Sequence, residues 1–183
     1  MERINSFAVV AYIEDRVGRF VDSLRRELTP GCPHHAHVTI LPPRPLSIPT
    51  EDAIEQCRQI LTRFEPFEFR VNTVGLFEKT RVIKLTLETG LNEFRTLHDI
   101  LNTGPFEKLE EYDYVPHITL CQDVPVGKLE AYLGEACQRW EALQPATPIH
   151  VEKLTVVQQT TEGTWENLAD MPLGSPKLAR VRR

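Results

Sequence analysis

Two short segments of the chain repeat the same order of residue types, and both could do acid–base chemistry. They read HVTI at residues 37–40 and HITL at residues 117–120. Alternate side chains of a β-strand share a face, so in each copy the histidine and the threonine lie on one face, about 6.6 Å apart along the strand. If two such strands come face to face, two imidazoles and two hydroxyls surround one small polar cleft.

The residue types of this cleft favour cleavage of a phosphodiester without a metal ion. His37 and His117 titrate near neutral pH, so one can act as general base and the other as general acid. The hydroxyls of Thr39 and Thr119 can donate hydrogen bonds to the non-bridging oxygens of a bound anion. An ordinary polar strand face would explain either copy alone, but the recurrence of the pair favours a site. The pattern leaves open which histidine is the acid.

The paired H-x-T motifs, about eighty residues apart, resemble those of the 2H phosphoesterase superfamily, which includes the bacterial 2′-5′ RNA ligase-like proteins. The resemblance covers nearly the whole chain, from the apolar segment 7–13 to the second motif. It implies that His37 and His117 are the acid–base pair and that both threonines bind phosphate. One position departs from the family, because Gln122 lies where RNA ligase-like members often carry arginine.

Composition limits the possible partners. The chain has 183 residues and a formal net charge of −5, which argues against a general grip on long nucleic acid but is compatible with a nucleotide or an RNA end. It contains neither a G-x-x-x-x-G-K-[ST] loop nor a G-x-G-x-x-G motif, so nothing indicates ATP, a dinucleotide or another cofactor. The four cysteines show no paired spacing, and the residue pattern does not indicate an oligomeric state.

The chain shows no sign of membrane insertion or export. The apolar run at residues 6–13 is too short to span a bilayer and lacks a cleavage site for secretion, which predicts a cytoplasmic protein. Residues 1–183 are predicted to form a single two-lobed domain, and the basic segment 177–183 is predicted to be a flexible tail.

The order of predicted elements indicates an α+β fold. Helices are predicted at residues 15–28, 50–64 (with Thr50 as N-cap), 92–101 and 127–143. Strands are predicted at residues 7–13, 36–41, 67–74, 83–88, 117–120, 149–157 and 165–168. Because the motif recurs in the second half, we predict two pseudo-symmetric lobes. The family resemblance implies an antiparallel sheet and flanking helices in each lobe, around a central cleft.

Other residues suggest alternatives. The run HHAH at residues 34–37 invites a metal site, but no carboxylate or cysteine follows at a usual ligand spacing, so we predict none. Cys121 is predicted to share the strand face of His117, about 13 Å away and too far for a nucleophile–base pair. Tyr114 could stack on a base or pack at the rim. Arg44, Lys79 and Arg81 are interpreted as solvated charges. His98 and His150 lack the threonine and are interpreted as incidental.

These observations predict a metal-independent hydrolase. It would act on a 2′,3′-cyclic phosphate or a 2′-5′ phosphodiester of a nucleotide or RNA end, as a cyclic phosphodiesterase in RNA processing does. Any joining activity would be the reverse of cyclic phosphate opening. The alternative from another class is a non-catalytic module that binds a phosphorylated small molecule or nucleotide, and the neutral Gln122 keeps it open.

Overall fold

The structure is a computed structural model that describes residues 2–143 and 147–174. Its helices are α1 (Arg16–Leu28), α2 (Thr50–Leu61), α3 (Leu91–Leu101) and α4 (Leu129–Leu143). Its strands are β1 (Arg3–Tyr12), β2 (His37–Arg44), β3 (Phe67–Phe69), β4 (Val71–Phe77), β5 (Val82–Leu87), β6 (His117–Cys121), β7 (Ile149–Val151), β8 (Lys153–Thr160) and β9 (Trp165–Pro172). The predicted α+β class is confirmed. The predicted tail, residues 177–183, lies outside the described residues, and the single two-lobed domain stays a prediction.

The two motif strands are neighbours in one sheet. The order of this seven-stranded sheet, within the described residues, is β4-β5-β6-β2-β1-β8-β9, while β3 pairs with β7 in a small second sheet. Val38 and Ile118 are registered opposite each other where β2 meets β6. The structure thus refines the plan of one sheet per lobe, because β2 and β6 join the two halves. The expectation that the motif strands come face to face is wrong, since they lie side by side.

The same strand–helix–strand unit occurs in both halves of the sheet. In the first half β1 pairs antiparallel with β2, and in the second half β5 pairs antiparallel with β6. The intervening helices cross over, because α1 packs against β6 and α3 packs against β2. Each motif strand is therefore supported by the helix of the other half.

Helices cover one face of the sheet, and the motif side chains project from the other. The aliphatic residues of the motifs are fully buried in the main core, together with apolar side chains of all four helices. The opposite face carries a small separate cluster of Ala8, Val10 and Val157, against which Tyr12 and Trp165 pack. Period-two alternation thus divides each motif strand between a helix-covered core and an open, more polar surface.

Local chemistry explains where several elements begin and end. The Asp15 carboxylate accepts hydrogen bonds from the backbone N–H groups of Val17 and Gly18, so Asp15, predicted as the first residue of the helix, is its N-cap. Thr50 is the first residue of α2 and Pro49 occupies the cap without a side-chain hydrogen bond, so the predicted Thr50 cap is wrong. The predicted strands 67–74 and 149–157 each break after three residues, because their first parts pair with each other as β3 and β7. No helix in the described ranges has the length and apolarity to cross a bilayer.

Candidate active site

Backbone register brings the four motif side chains together on one face. Because β2 and β6 are antiparallel with Val38 opposite Ile118, His37 lies opposite Thr119 and Thr39 lies opposite His117. Both strands begin with the same burial pattern, in which the histidine and threonine are partly exposed and the aliphatic residues are buried. The prediction that histidine and threonine share a face in each copy is confirmed. The two pairs are arranged diagonally, so that each histidine is next to the other motif's threonine.

Both imidazoles are held in the same tautomer. The Nδ1 atom of His37 lies 2.7 Å from the carbonyl oxygen of His35, and that of His117 lies 2.7 Å from the carbonyl oxygen of Val115. Since a carbonyl can only accept, each Nδ1 carries the hydrogen, and the lone pair of the neutral ring is on Nε2. Within the described chain neither Nε2 atom and neither motif hydroxyl has a hydrogen-bond partner. Two proton acceptors and two hydroxyl donors are therefore available to a ligand.

The surroundings keep both imidazoles neutral. Burial lowers the pKa of His37 to about 4, and the positive charge of Arg25 acts in the same direction. Burial also lowers the pKa of His117, with smaller contributions from the charges of Lys84 and Arg25. In each case the hydrogen bond to the carbonyl oxygen opposes the shift. A bound anion would favour the charged form and move the pKa of either histidine upward.

A buried arginine connects the two motifs. Arg25 of α1 is only 4% exposed. Its Nε donates to the carbonyl oxygen of Thr119 at 2.8 Å, and its Nη1 donates to that of His35 at 3.0 Å. The His35 carbonyl also orients the His37 ring. Arg25 therefore supports both motif strands from the helix-covered side of the sheet. Sequence reasoning missed Arg25, although a cation between Val21 and Leu28 on the apolar stripe of a helix was a signal for it.

Tyr114 supports the other motif strand, β2, in a corresponding way. Its hydroxyl donates to the carbonyl oxygen of Thr39 at 2.8 Å. Its ring stacks on His98, with centroids 4.2 Å apart and planes 6° apart. The carbonyl groups of Thr39 and Thr119, at the junction of the two half-sheets, are thus satisfied by side chains of the opposite half. Of the two predicted roles for Tyr114, this geometry favours packing, and His98 has a packing role against the Tyr114 ring.

An aromatic ring contacts each candidate histidine edge-on. The Tyr12 ring lies 6.2 Å from that of His37, and the Phe77 ring lies 4.9 Å from that of His117. The Phe77 ring also contacts Lys84, whose Nζ is 3.2 Å from the ring centroid. Lys84 lies opposite Thr119 on the same face of the sheet and was missed by the sequence analysis, as were both rings.

The energetics of Lys84 are unusual for a lysine. The residue is 8% exposed, and no carboxylate in the described ranges forms an ion pair with it. A cation–π contact with the Phe77 ring contributes about 0.5–2 kcal/mol, and the ammonium is not among the side-chain nitrogen and oxygen atoms of the described chain that are shut off from solvent. The aromatic ring and water therefore both stabilise this charge. Burial nevertheless lowers the pKa of the Lys84 ammonium.

The family of the chain follows from its sequence over both motifs. Residues 13–163 match the 2′-5′ RNA ligase superfamily, a span that includes each H-x-T segment and most of the chain. This chain belongs to the 2′-5′ RNA ligase superfamily. The predicted 2H phosphoesterase membership is thereby confirmed.

Relatives and solved structures agree with this membership. A protein of Halalkalibacterium halodurans named "Putative phosphoesterase" is 26% identical over 149 residues, which cover 75% of this chain and 83% of that protein. One of the same description from Oceanobacillus iheyensis is 27% identical over 124 residues, 67% of this chain and 70% of that protein.

Two solved structures have the same fold. The crystal structure of E. coli LigT complexed with 3′-AMP has a TM-score of 0.59 at 15% identity, over 94% of this chain and 98% of that one. The structure of Kluyveromyces marxianus Usb1 has a TM-score of 0.60 at 13% identity, over 92% of this chain and 98% of that one. The superfamily fold is therefore shared across these structures despite low sequence identity.

Three other residues that the sequence analysis considered are not part of the group of four motif side chains. They are His35, Arg44 and Gln122. The His35 ring turns to the Asp22 carboxylate, 3.3 Å away, and the described residues contain no group of three or more side chains placed to hold a metal ion. Arg44 is 2% exposed and forms an ion pair with Glu110, so the interpretation as a solvated charge is wrong for it. Gln122 is exposed just beyond the end of β6.

A β-bulge separates Cys121 from the candidate site. Along the β5–β6 pair Lys84 lies opposite Thr119, but Ile83 lies opposite Cys121, so β6 has one extra residue here. Cys121 consequently joins Ile83 in the main core, where its sulfur lies 3.2 Å from the Thr29 hydroxyl. The prediction that Cys121 shares the strand face of His117 is wrong, because the bulge changes the alternation.

Proposed function

We propose that this chain is a metal-independent phosphoesterase that opens a 2′,3′-cyclic phosphate or cleaves a 2′-5′ phosphodiester in a nucleotide or RNA end. The observation that carries the proposal is the diagonal arrangement of the motifs. Two Nε2 atoms and two hydroxyls lie on one face without protein partners in the described chain, while both Nδ1 atoms are occupied by carbonyl groups. General acid, general base and oxyanion donors are thereby supplied by the chain itself.

The proposed hydrolysis of a cyclic phosphate needs one proton transfer at each histidine. The Nε2 atom of one histidine removes a proton from water as the water oxygen bonds to phosphorus. The bond from phosphorus to one ribose oxygen breaks, and the other histidine, protonated on Nε2, gives its proton to that oxygen. The product is a phosphomonoester beside a free hydroxyl, and proton exchange with water restores both rings. The geometry is compatible with either histidine as the acid.

The threonines have a separate role in this proposal. Thr39 and Thr119 flank the two imidazoles, and their hydroxyls donate to non-bridging phosphate oxygens, where negative charge increases in the transition state. The net charge of −5 suits a short substrate held at a local site rather than a long polyanion. E. coli LigT, which has the same fold, has been crystallised with 3′-AMP. This supports a nucleotide-sized substrate.

The decisive experiment measures hydrolysis of the four 2′,3′-cyclic nucleoside monophosphates in EDTA. We expect turnover by the wild type, and a loss of about 10²- to 10⁴-fold in kcat for His37→Ala and for His117→Ala. His150→Ala is the matched control, because His150 lies on the small second sheet and pairs with Glu68. Identification of the product shows which ribose hydroxyl keeps the phosphate.

Turnover that stops in EDTA, or that survives either motif substitution, would contradict the two-histidine mechanism. If no cyclic nucleotide is turned over, the same proteins are assayed with 2′-5′-linked dinucleotides. Binding of inorganic phosphate without turnover of either class of substrate would favour the non-catalytic binding module.

A further inference from the structure

Lys84 lies in the same cross-strand row as two of the motif side chains. On the face of the sheet that carries the motif side chains, His37 of β2 lies opposite Thr119 of β6, and Thr119 lies opposite Lys84 of β5. The Phe77 ring contacts both the Lys84 ammonium and the His117 imidazole, and so holds the cation beside the candidate acid–base pair. The flexible four-carbon stem of the lysine side chain allows the ammonium to turn toward a bound anion.

The fold itself does not require a cation at this place. In the other half of the sheet the corresponding residue is Val10, which lies opposite Thr39 as Lys84 lies opposite Thr119. Lys84 is nearly buried, and the described residues give it no carboxylate partner. Its ammonium is not among the side-chain nitrogen and oxygen atoms of the described chain that are shut off from solvent, so an anion bound beside the motifs can reach it. The position of this unpaired charge beside the motif side chains therefore indicates an anionic ligand.

We propose that Lys84 is a further catalytic residue, whose ammonium donates to a non-bridging oxygen of the bound phosphodiester and stabilises the charge that develops there. The inference rests on the function proposed above. It also gives the substrate a direction, because the charged phosphoryl oxygens lie toward β5. The side formed by Val10 and Tyr12 on β1 is then left for the uncharged part of the substrate.

The test compares Lys84→Met with Lys84→Arg and with Lys79→Met. Methionine removes the charge and keeps an unbranched side chain, and Val10 shows that the corresponding place accepts an apolar residue. Arginine keeps the charge. Lys79 is exposed in the turn between β4 and β5, so Lys79→Met changes the net charge equally, away from the motifs. The measurements are kcat and KM on a turned-over cyclic nucleotide, Ki for inorganic phosphate, and the circular dichroism spectrum.

We expect Lys84→Met to lower kcat about 10²- to 10³-fold, as loss of one transition-state donor does, and to raise Ki for phosphate at least about tenfold. Lys84→Arg should retain most of the phosphate affinity, and Lys79→Met should match the wild type. A purely structural role would leave the Ki for phosphate unchanged, so this constant separates the two roles. Loss of the cation should also raise the pKa of His117 and shift the alkaline limb of kcat/KM to higher pH.

A folded Lys84→Met protein with wild-type kcat and Ki would overturn the inference, while wild-type turnover that depends on both histidines would leave the proposed function standing. If that variant does not fold, Lys84→Gln replaces it in the same comparison. If the wild type turns nothing over, the proposed function fails. Phosphate binding that is lost only in the Lys84 variant would then still support an anion site. A wild type that neither turns over substrate nor binds phosphate would overturn both.

Discussion

The two halves of the candidate site share a backbone plan and differ in the side chains around it. The first half-site consists of His37, Thr39 and Tyr12, and the second consists of His117, Thr119, Phe77 and Lys84. In both, Nδ1 lies 2.7 Å from the carbonyl oxygen two residues earlier, and an aromatic edge contacts the imidazole. The second half-site adds a lysine where the first has Val10 in the neighbouring strand.

This difference separates what the repeated motif supplies from what residues outside the motif must supply. Two copies of the motif supply two interchangeable imidazoles, which by themselves would accept a substrate in either direction. Reaction in one direction needs an asymmetric charge distribution, and that comes from residues outside the motifs. Lys84 places positive charge on one side only. The supports also differ, because the cationic Arg25 holds the Thr119 carbonyl and the neutral Tyr114 holds that of Thr39.

Among the changes that compare the supports and rings of the two half-sites, loss of the cationic support has the largest expected effect. Arg25→Gln leaves the Thr119 carbonyl without its partner, which should cost about 1–3 kcal/mol of unfolding free energy, and displacement of His37 should lower kcat/KM about 10²-fold. Tyr114→Phe removes one neutral hydrogen bond and should cost about 1 kcal/mol. Urea unfolding and steady-state kinetics measure both.

Arg26→Gln is the control for Arg25, since Arg26 is exposed on the same helix and loses the same charge. Equal losses for Arg25→Gln and Tyr114→Phe would show that the charge of the support does not matter. The two supports would then be equivalent.

The pH dependence of kcat/KM tests the protonation states of His37 and His117 together. Catalysis needs one protonated and one neutral histidine, so the rate is greatest between their two pKa values. Burial lowers the pKa of His37 to about 4 and also lowers that of His117 from its ordinary value of 6.5. We therefore expect a bell whose alkaline limb lies below pH 6.5, with kcat/KM falling about tenfold for each further pH unit.

The kcat profile should lie at higher pH than that of kcat/KM, because the bound anion raises the pKa of both histidines. Initial rates from about pH 4 to 9 measure both profiles. A profile that is flat through the neutral range would contradict histidine catalysis.

The smallest effect on kcat/KM should come from removal of the Tyr12 hydroxyl in the first half-site. Tyr12 donates to the Asn167 side chain at 2.8 Å, and Tyr12→Phe removes this bond while keeping the ring beside His37. We expect less than about a threefold change in kcat/KM and less than about 1 kcal/mol in stability. Phe77→Leu removes the ring shared by His117 and Lys84 and should cost more. A larger loss of kcat/KM in Tyr12→Phe than in Phe77→Leu would contradict the proposed difference between the two half-sites.

Alternation along the chain predicted the common face of each motif, because the two-residue period of a strand is a local property. It could not predict that β2 and β6 pair with each other, since this pairing joins segments far apart in sequence. Lys84 had the right parity in a predicted strand, but its closeness to Thr119 depends on the β5–β6 register. Cys121 had the wrong parity because one extra residue in β6 reverses the alternation.

Helix periodicity in α1 marked one further residue with a role at the candidate site. Arg25 is one of the few residues whose importance could be read locally, as a cation within an apolar stripe. Its acceptors on both motif strands could not be deduced, because they depend on how α1 crosses to the strand of the other half. The sequence thus reveals residues in unusual surroundings more readily than the partners they find.

The contact between Arg25 and Thr119 joins residues that are 94 positions apart. During synthesis on the ribosome, α1 and the first histidine emerge long before β6 exists. In a nascent or truncated chain that ends before β6, Arg25 lacks the Thr119 carbonyl and His37 lacks the second candidate histidine. Long-range closure of this kind is slow compared with local helix formation. The candidate site should therefore be among the last parts to form, and we expect no partial activity from incomplete chains.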